Sequence, residues 1–228
     1  MVFPSHSTEG VDAFITPDRV ILLDCQPLLA MSKVPRNPSD NSRNTNREDA
    51  DFSVPENDNE IESLQYAAFI FSVCHVVLIV QDWGGNPDYM RFYHTAEMLK
   101  PATPTPTEDE ELVEYFPHAM IIHTKTKPPY FSREKFHELQ EHYRDAFALS
   151  NLQLHTGLSI ANGNVVKTLN AKLCNGEPLN LYLLPPFQNE NVYKGHLGYN
   201  DLFCKMRQLI FGVAPIPLSH TILTEKNW

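Results

Sequence analysis

Short, nearly continuous apolar runs recur along the chain, and polar or turn-forming residues separate them. Runs of this length that are rich in aliphatic and β-branched residues are typical of strands covered on both faces of a sheet. Four runs fit this description: RVILLD at 19–24, HVVLIVQ at 75–81, HAMIIHT at 118–124 and LNLYLLP at 179–185. The pattern therefore predicts four strands of one buried sheet.

Four other segments have apolar residues at intervals of three and four, which predicts helices. The segment at 132–149 is the clearest, because Ser132 is a suitable N-cap and Phe136, Leu139 and Tyr143 form an apolar stripe. Gly212 suits the C-terminal cap of the last helix. The predicted helices cover residues 60–73, 87–100, 132–149 and 199–212.

The predicted strands and helices alternate along the chain. Apolar strands that are joined by helices form a parallel sheet with helices on both of its faces. We therefore predict an α/β fold with a mostly parallel sheet, and we treat residues 1–228 as one domain.

Two segments interrupt this alternation. Residues 31–59 are dominated by Asn, Asp, Ser and Pro, so burial cannot offset the entropy cost of ordering them. Residues 100–115 combine several prolines with a run of acids that repel one another. We expect both segments to be disordered loops.

The net charge, the cysteine spacing and the lengths of the apolar runs argue against several classes of function. The net charge of −10 makes the whole chain a poor ligand for a phosphate backbone, so we expect no direct contact with nucleic acid. The four cysteines form no C-x-x-C pair, which leaves no zinc spacing. No signal peptide or membrane-length apolar run is present, and we expect a cytoplasmic or nuclear protein without a membrane contact.

The first predicted strand delivers one acid, Asp24, to its carboxyl end. An aspartate in this place holds magnesium in many nucleotide-binding α/β proteins, but an isolated carboxylate is a poor magnesium site without phosphate oxygens. The 228 residues contain neither G-x-x-x-x-G-K-[ST] nor G-x-G-x-x-G. Asp24 is thus either a magnesium-proximal residue or a strand-end residue that caps the turn before Pro27, and we predict no metal site and no cofactor.

Several longer stretches carry a resemblance to a known family. They are FITPDRVILLDCQPLL at 14–29, LQYAAFIFSVCHVVLIVQDW at 64–83, YMRFYHTAEMLKPATPTP at 89–106 and LSHTILTEKNW at 218–228. In collinear order these stretches resemble the SMG family of nonsense-mediated mRNA decay factors. The resemblance implies a dynamin-like G domain of the P-loop class, which in this chain starts before the third G-domain strand and lacks the first strand and the phosphate loop.

The resemblance also implies a remnant of a nucleotide site at Asp24, Thr124 and Lys125. LLDCQP corresponds to the third G-domain motif, in which Pro27 replaces the usual glycine. HTKTK at 123–127 corresponds to the base-recognising N-K-x-D motif. Thr124 replaces its asparagine, Lys125 is kept and Lys127 replaces its aspartate, so guanine specificity is not expected.

The family resemblance implies a non-catalytic function. Members pair with the eighth SMG protein, and the pair restrains the SMG-one kinase, a phosphatidylinositol-3-kinase-related protein kinase. We expect this chain to be such a regulatory subunit and not an enzyme; the alternative is a nucleotide-binding G-domain protein with weak or altered base specificity. Trp83 is either an anchor in a partner interface or a residue that packs on the following helix.

The missing first strand has a further implied consequence. In a G domain that strand lies between RVILLD and HVVLIV, so its loss leaves unpaired backbone groups on both. We expect the isolated chain to aggregate and a partner to stabilise it.

Overall fold

The computed structural model describes nine stretches of the chain, which divide between two compact units, Met1–Phe69 and Ile70–Trp228. The described stretches are residues 8–29, 55–82, 87–102, 104–105, 113–162, 165–166, 168–169, 177–187 and 197–214. The expectation that residues 1–228 behave as one domain stays a prediction.

The first unit begins with an antiparallel hairpin of strands β1 (Val11–Ile15) and β2 (Ile21–Cys25). Its turn is closed by bonds to one residue: the Arg19 amide donates to the Thr16 carbonyl at 3.0 Å, and the Val20 amide donates to the Thr16 hydroxyl at 3.1 Å. Arg19 takes the left-handed conformation, with φ of 60°. The turn therefore returns the chain directly onto itself.

The prediction that RVILLD is a buried strand of the parallel sheet is wrong. Its core forms β2, which pairs with β1 and not with the parallel strands, and Ile21 and Leu22 are exposed. The residues that precede the turn supply an antiparallel partner at once, whereas a parallel partner needs a long crossover connection. A continuous apolar run was therefore no proof of burial on both faces.

Helix α1 (Pro55–Val73) follows the hairpin in sequence, and it crosses the boundary between the two units. The hairpin is tied to it within the first unit, because the Leu29 amide donates to the Ser63 hydroxyl at 3.0 Å and Gln26 Nε2 donates to Glu62 Oε1 at 3.3 Å. The helix begins at a proline, which the first turn tolerates. Its first five residues overlap the end of the loop predicted at 31–59; residues 31–54 lie outside the described part.

The second unit contains the parallel sheet. After the end of α1 its elements are, in chain order, β3 (Val76–Gln81), α2 (Pro87–Leu99), β4 (Pro104–Thr105), β5 (Val113–Glu114), β6 (His118–His123), a 3₁₀ turn (Pro128–Phe131), α3 (Arg133–Ala146), β7 (Leu181–Leu183) and α4 (Tyr199–Phe211). The order across the sheet is β3-β6-β7, and both pairings are parallel. Three of the four predicted strands and the α/β character are thus confirmed.

The middle strand forms the centre of the core. Ala119, Met120 and Ile121 of β6 are completely buried. Burial on both faces explains why this segment is continuously apolar in sequence. The G-domain detail of the fold stays a prediction.

The helices of the second unit lie close to their predicted positions. The Lys135 amide donates to the Ser132 hydroxyl at the start of α3, which confirms the predicted N-cap. The side chains of Phe136 and Tyr143, two members of the predicted apolar stripe, are buried. Gly212 forms the C-cap of α4, where its amide donates to the Gln208 carbonyl at 3.1 Å. No helix in the described stretches is long and apolar enough to cross a membrane.

The segment at 100–115, predicted to be a disordered loop, is paired at both ends. β4 and β5 form a two-residue antiparallel ladder. The buried Lys100 ammonium donates to the Pro101 carbonyl at 3.1 Å and to Glu114 at 3.4 Å. Residues 106–112 lie outside the described part, so their predicted disorder stays a prediction.

A buried amide holds irregular backbone against the sheet. The side-chain oxygen of Asn180 accepts from the amides of Thr156 and Leu158, and its nitrogen donates to the carbonyls of Ala119 and Gln153. Asn180 is completely buried just before β7. Its four backbone bonds satisfy polar groups that would otherwise make the burial of this segment costly.

Candidate functional site at the carboxyl edge of the sheet

Two parallel strands bring polar residues to one edge of the sheet. Gln81 and His123, the last residues of β3 and β6, are direct partners in the ladder. Asp82 therefore follows one strand beside Thr124 and Lys125, which follow the other. The carboxyl edge is where open α/β sheets bind ligands, so this cluster is the candidate site.

The carboxylate of Asp82 is the centre of the cluster. Its two oxygens accept hydrogen bonds from the Thr124 hydroxyl at 2.8 Å and from the Lys125 ammonium at 2.7 Å. These bonds hold the pKa of Asp82 below its ordinary value. Both charged side chains are about two-thirds exposed (Lys125 68%, Asp82 66%), so solvent screens the pair and its contribution to stability is small.

The backbone of this loop is anchored to both neighbouring strands. The Thr124 amide donates to the Gln81 carbonyl at 2.9 Å, and the Thr126 amide donates to the Leu184 carbonyl at 2.8 Å. Between them Lys125 takes the left-handed conformation with φ of 53°. A non-glycine residue adopts this conformation at a cost of about 1 kcal/mol or more, and here the flanking bonds impose it.

A buried polar network lies at the end of the strands. Tyr143 on α3 shares its hydroxyl between His123 Nε2, at 2.7 Å, and Gln81 Nε2, at 2.5 Å. Burial lowers the pKa of His123 to about 4 and raises the pKa of Tyr143, so both side chains are neutral at physiological pH. The network fixes the strand ends to the helix and supplies no charge to the site.

The predicted site residues separate into two groups. Thr124 and Lys125 lie together in the second unit, whereas Asp24 belongs to the hairpin of the first. Asp24 is exposed, accepts a hydrogen bond from the Thr8 hydroxyl at 2.9 Å, and lies opposite Asp12. Both roles considered for Asp24, beside a magnesium ion or as the cap of the turn before Pro27, stay predictions.

Sequence reasoning missed Asp82, the residue that organises the cluster. The available signal was its position directly after an apolar strand, at the edge where ligands bind. Lys127, expected to replace the aspartate of the base-recognising motif, is exposed and makes no side-chain cap to the following 3₁₀ turn. Trp83, the predicted contact residue, lies outside the described residues.

A metal site would need several ligand side chains close together among the described residues. Among them, no three or more His, Cys, Asp or Glu side chains are grouped closely enough to hold a metal ion. What the candidate site presents is therefore one carboxylate, one ammonium and one hydroxyl that are bonded to one another.

Comparisons with known proteins identify relatives over almost the whole chain. It is 33% identical to the nonsense-mediated mRNA decay factor SMG9 of Xenopus laevis and 33% identical to that of Salmo salar. Each match covers 98% of this chain and 48% of the relative. Protein SMG9 of Drosophila melanogaster is 26% identical over 97% of this chain and 38% of its own length. No family model matches the chain.

The chain spans about half the length of the curated relatives it matches. The match covers 98% of this chain, so it includes the hairpin and the strands of the parallel sheet. The resemblance to the SMG family is thereby confirmed: over 98% of its length, this chain is a homologue of the SMG9 nonsense-mediated mRNA decay factors.

Proposed function

We propose that this chain acts in nonsense-mediated mRNA decay as a non-catalytic regulatory subunit. In this proposal it pairs with the eighth SMG protein, and the pair restrains the SMG-one kinase in the cytoplasm. The proposal is supported by relatives that are named as nonsense-mediated mRNA decay factors and match 98% of the chain. Protein docking is also consistent with a net charge of −10, which disfavours direct binding to messenger RNA.

The observation that carries the non-catalytic part is the bonding of the candidate site to itself. Thr124 and Lys125, the residues in the place of a base-recognising motif, both donate to Asp82. A base that approached would have to displace these bonds. Phosphoryl transfer also depends on a loop that positions and neutralises the phosphates, and the 228 residues contain no G-x-x-x-x-G-K-[ST] motif.

A binding experiment tests the pairing. The purified chain is titrated with the eighth SMG protein in a calorimeter, and the complex is then added to the SMG-one kinase while phosphorylation of a substrate peptide is followed. We expect a one-to-one complex and a lower kinase rate. A chain that forms no complex, or a complex that leaves the kinase rate unchanged, would overturn the proposal.

The Asp82→Ala and Lys125→Ala variants serve as controls for this experiment. Both remove exposed side chains from the candidate site, so we expect little change in stability. If docking does not use a nucleotide, neither change alters the affinity for the eighth SMG protein or the kinase rate.

A second candidate function is nucleotide binding with altered base specificity. It is favoured by the place of the cluster at the carboxyl edge and by the left-handed Lys125, since strained backbone is concentrated at functional sites. Micromolar binding of GTP or ATP that is lost in Lys125→Ala would favour this candidate over the first.

A further inference from the structure

Aromatic side chains that are exposed or half-buried lie along one side of α4. Tyr199 stacks on Phe203 with ring centroids 6.0 Å apart, and Phe187 meets the edge of Tyr199 at 5.2 Å. One turn further on, the guanidinium of Arg207 lies 5.0 Å from the ring centroid of Phe211. We call these five residues the aromatic ridge.

The ridge follows from the sequence spacing of the helix. Its four helical members are separated by four residues each, so they lie one above the other beside the buried face of Leu202 and Met206. Phe187, Phe203 and Phe211 are 74%, 44% and 40% exposed. From Tyr199 to Phe211 the ridge is about 18 Å long.

The composition of the ridge is that of an interface centre. Aromatic residues and arginine are enriched at the few positions that carry most of the energy in protein interfaces. Their large exposed rings are already ordered by stacking on one another, so a partner would immobilise few additional rotamers. A ridge at four-residue spacing fits the groove between the corresponding ridges of a second helix.

Arg207 defines the chemistry of that second helix. Among the described residues no carboxylate forms an ion pair with it, and its guanidinium lies on the ring of Phe211. A guanidinium that lies on a ring keeps its donors available for a planar acceptor such as a carboxylate. The ridge therefore complements an apolar surface that includes an acidic side chain.

We propose that the aromatic ridge of α4 is the docking surface for an amphipathic helix of a protein partner, with one carboxylate beside its apolar stripe to meet Arg207. This inference rests on the proposed function for the identity of the partner, the eighth SMG protein. A single-stranded RNA is the disfavoured occupant, although aromatic and arginine side chains also stack on bases. The ridge has one cation, the chain has a net charge of −10, and backbone binding needs several neutralised phosphates.

The test measures the affinity of variants of the full chain for the eighth SMG protein. Phe203→Ala removes a ring from the ridge, and Arg207→Glu reverses its charge. We expect each variant to bind about tenfold more weakly or worse, as is usual at interface centres. Phe14→Ala and Lys205→Glu are the matched controls, because Phe14 is an exposed ring in β1 and Lys205 is an exposed cation of α4 off the ridge. The controls should bind within about twofold of the unmodified chain.

The outcomes separate this inference from the proposed function. If the unmodified chain binds and both ridge variants bind equally well, the ridge inference is overturned while the pairing stands. Arg207→Glu is an exposed change, so it decides the question even where Phe203→Ala fails to fold. Weaker binding of an oligo-uridine probe by the ridge variants, with protein binding unchanged, would also overturn the inference.

If the unmodified chain does not bind the eighth SMG protein, the proposed function fails and a designed peptide decides the inference. The peptide is a helix with leucines at four-residue spacing and flanking glutamates. Binding that both ridge variants weaken supports the ridge as a docking surface, and absence of such binding overturns it.

Discussion

His123 shows how a buried side chain at the site is held in one protonation state. Gln81 Nε2 donates to the Tyr143 hydroxyl oxygen, and the same hydroxyl shares a hydrogen bond with His123 Nε2. Nδ1 is buried and has no hydrogen-bond partner. Adding a second proton would place an uncompensated charge in the core, which is why burial lowers the pKa of His123 to about 4.

This pKa predicts a loss of stability in mild acid. The native pKa lies below the ordinary value of 6.5, so between pH 6.5 and pH 4 the unfolded chain binds more protons than the native chain. Stability that is fully present above pH 6.5 is lost as the pH falls towards 4, and His123 contributes roughly 3 kcal/mol of that loss. Urea unfolding measured across this range checks the slope.

The His123→Gln variant is the control, because glutamine does not titrate. Its free energy of unfolding should depend less steeply on pH than that of the unmodified chain. Some dependence should remain, since burial and the neighbouring His75 also lower the pKa of His118. Identical slopes for the two proteins would contradict the assignment of the loss to His123.

At the residue scale the sequence predicted the site only in part. Thr124 and Lys125 could be placed at the carboxyl end of a strand because the apolar run HAMIIHT marks that end. Their bonds to Asp82 span 42 and 43 residues, and no local pattern encodes a contact of that kind. These contacts depend on the register of the ladder, which aligns Gln81 with His123.

At the element scale, the sequence predicted where strands and helices lie better than it predicted which strands pair. HVVLIVQ and HAMIIHT are strands of a parallel sheet, as their composition predicted, and the structure pairs them with each other. RVILLD has a similar composition but forms an exposed hairpin, because the short turn that begins at Thr16 makes the preceding residues available first. Composition reports apolar character, whereas the connection between two strands decides whether they pair.

Strand β3 has an open edge in the described part of the sheet. It pairs with β6 on one side, where the carbonyls of His75 and Gln81 accept from the amides of His118 and Thr124. The intervening positions Leu78 and Val80 direct their backbone groups to the other side, since directions alternate along a strand. Their side chains are 42% and 60% exposed, which makes this edge the element most prone to pairing with another copy.

A lysine on this edge should reduce aggregation of the isolated chain. Val80→Lys places a charge where a second strand would pair, and because Val80 is exposed the change should alter the free energy of unfolding by less than about 1 kcal/mol. Light scattering during incubation at about 37 °C measures the rate of aggregation. Met98→Lys adds the same charge to an exposed apolar position of α2 and is the control. Equal aggregation rates for the two variants would show that the edge is not the cause.

At the scale of the whole molecule, the described structure contains regions of very different burial. The middle of β6 is completely buried, whereas most of the β1–β2 hairpin is exposed. Amide protection reflects local opening, and elements with few buried apolar contacts open at lower free energy. The two units are therefore expected to lose their structure in separate steps.

Hydrogen exchange measures that difference directly. We expect the amides of Met120 and Ile121 to exchange only on global unfolding, and the amides of the hairpin to exchange at least about tenfold faster. A complex with the eighth SMG protein that covers α4 should slow exchange in Phe203–Phe211 in addition. Uniform protection across the hairpin and β6 would contradict the separate steps.

The central claim is that this chain works by docking to a protein and not through a nucleotide. Equilibrium titration of the purified chain with GTP and ATP in the presence of magnesium tests it most directly. Because Lys125 and Thr124 are bonded to Asp82, we predict neither saturable binding nor turnover, and the same null response from Lys125→Ala. Micromolar binding or hydrolysis by the unmodified chain that disappears in Lys125→Ala would contradict the claim.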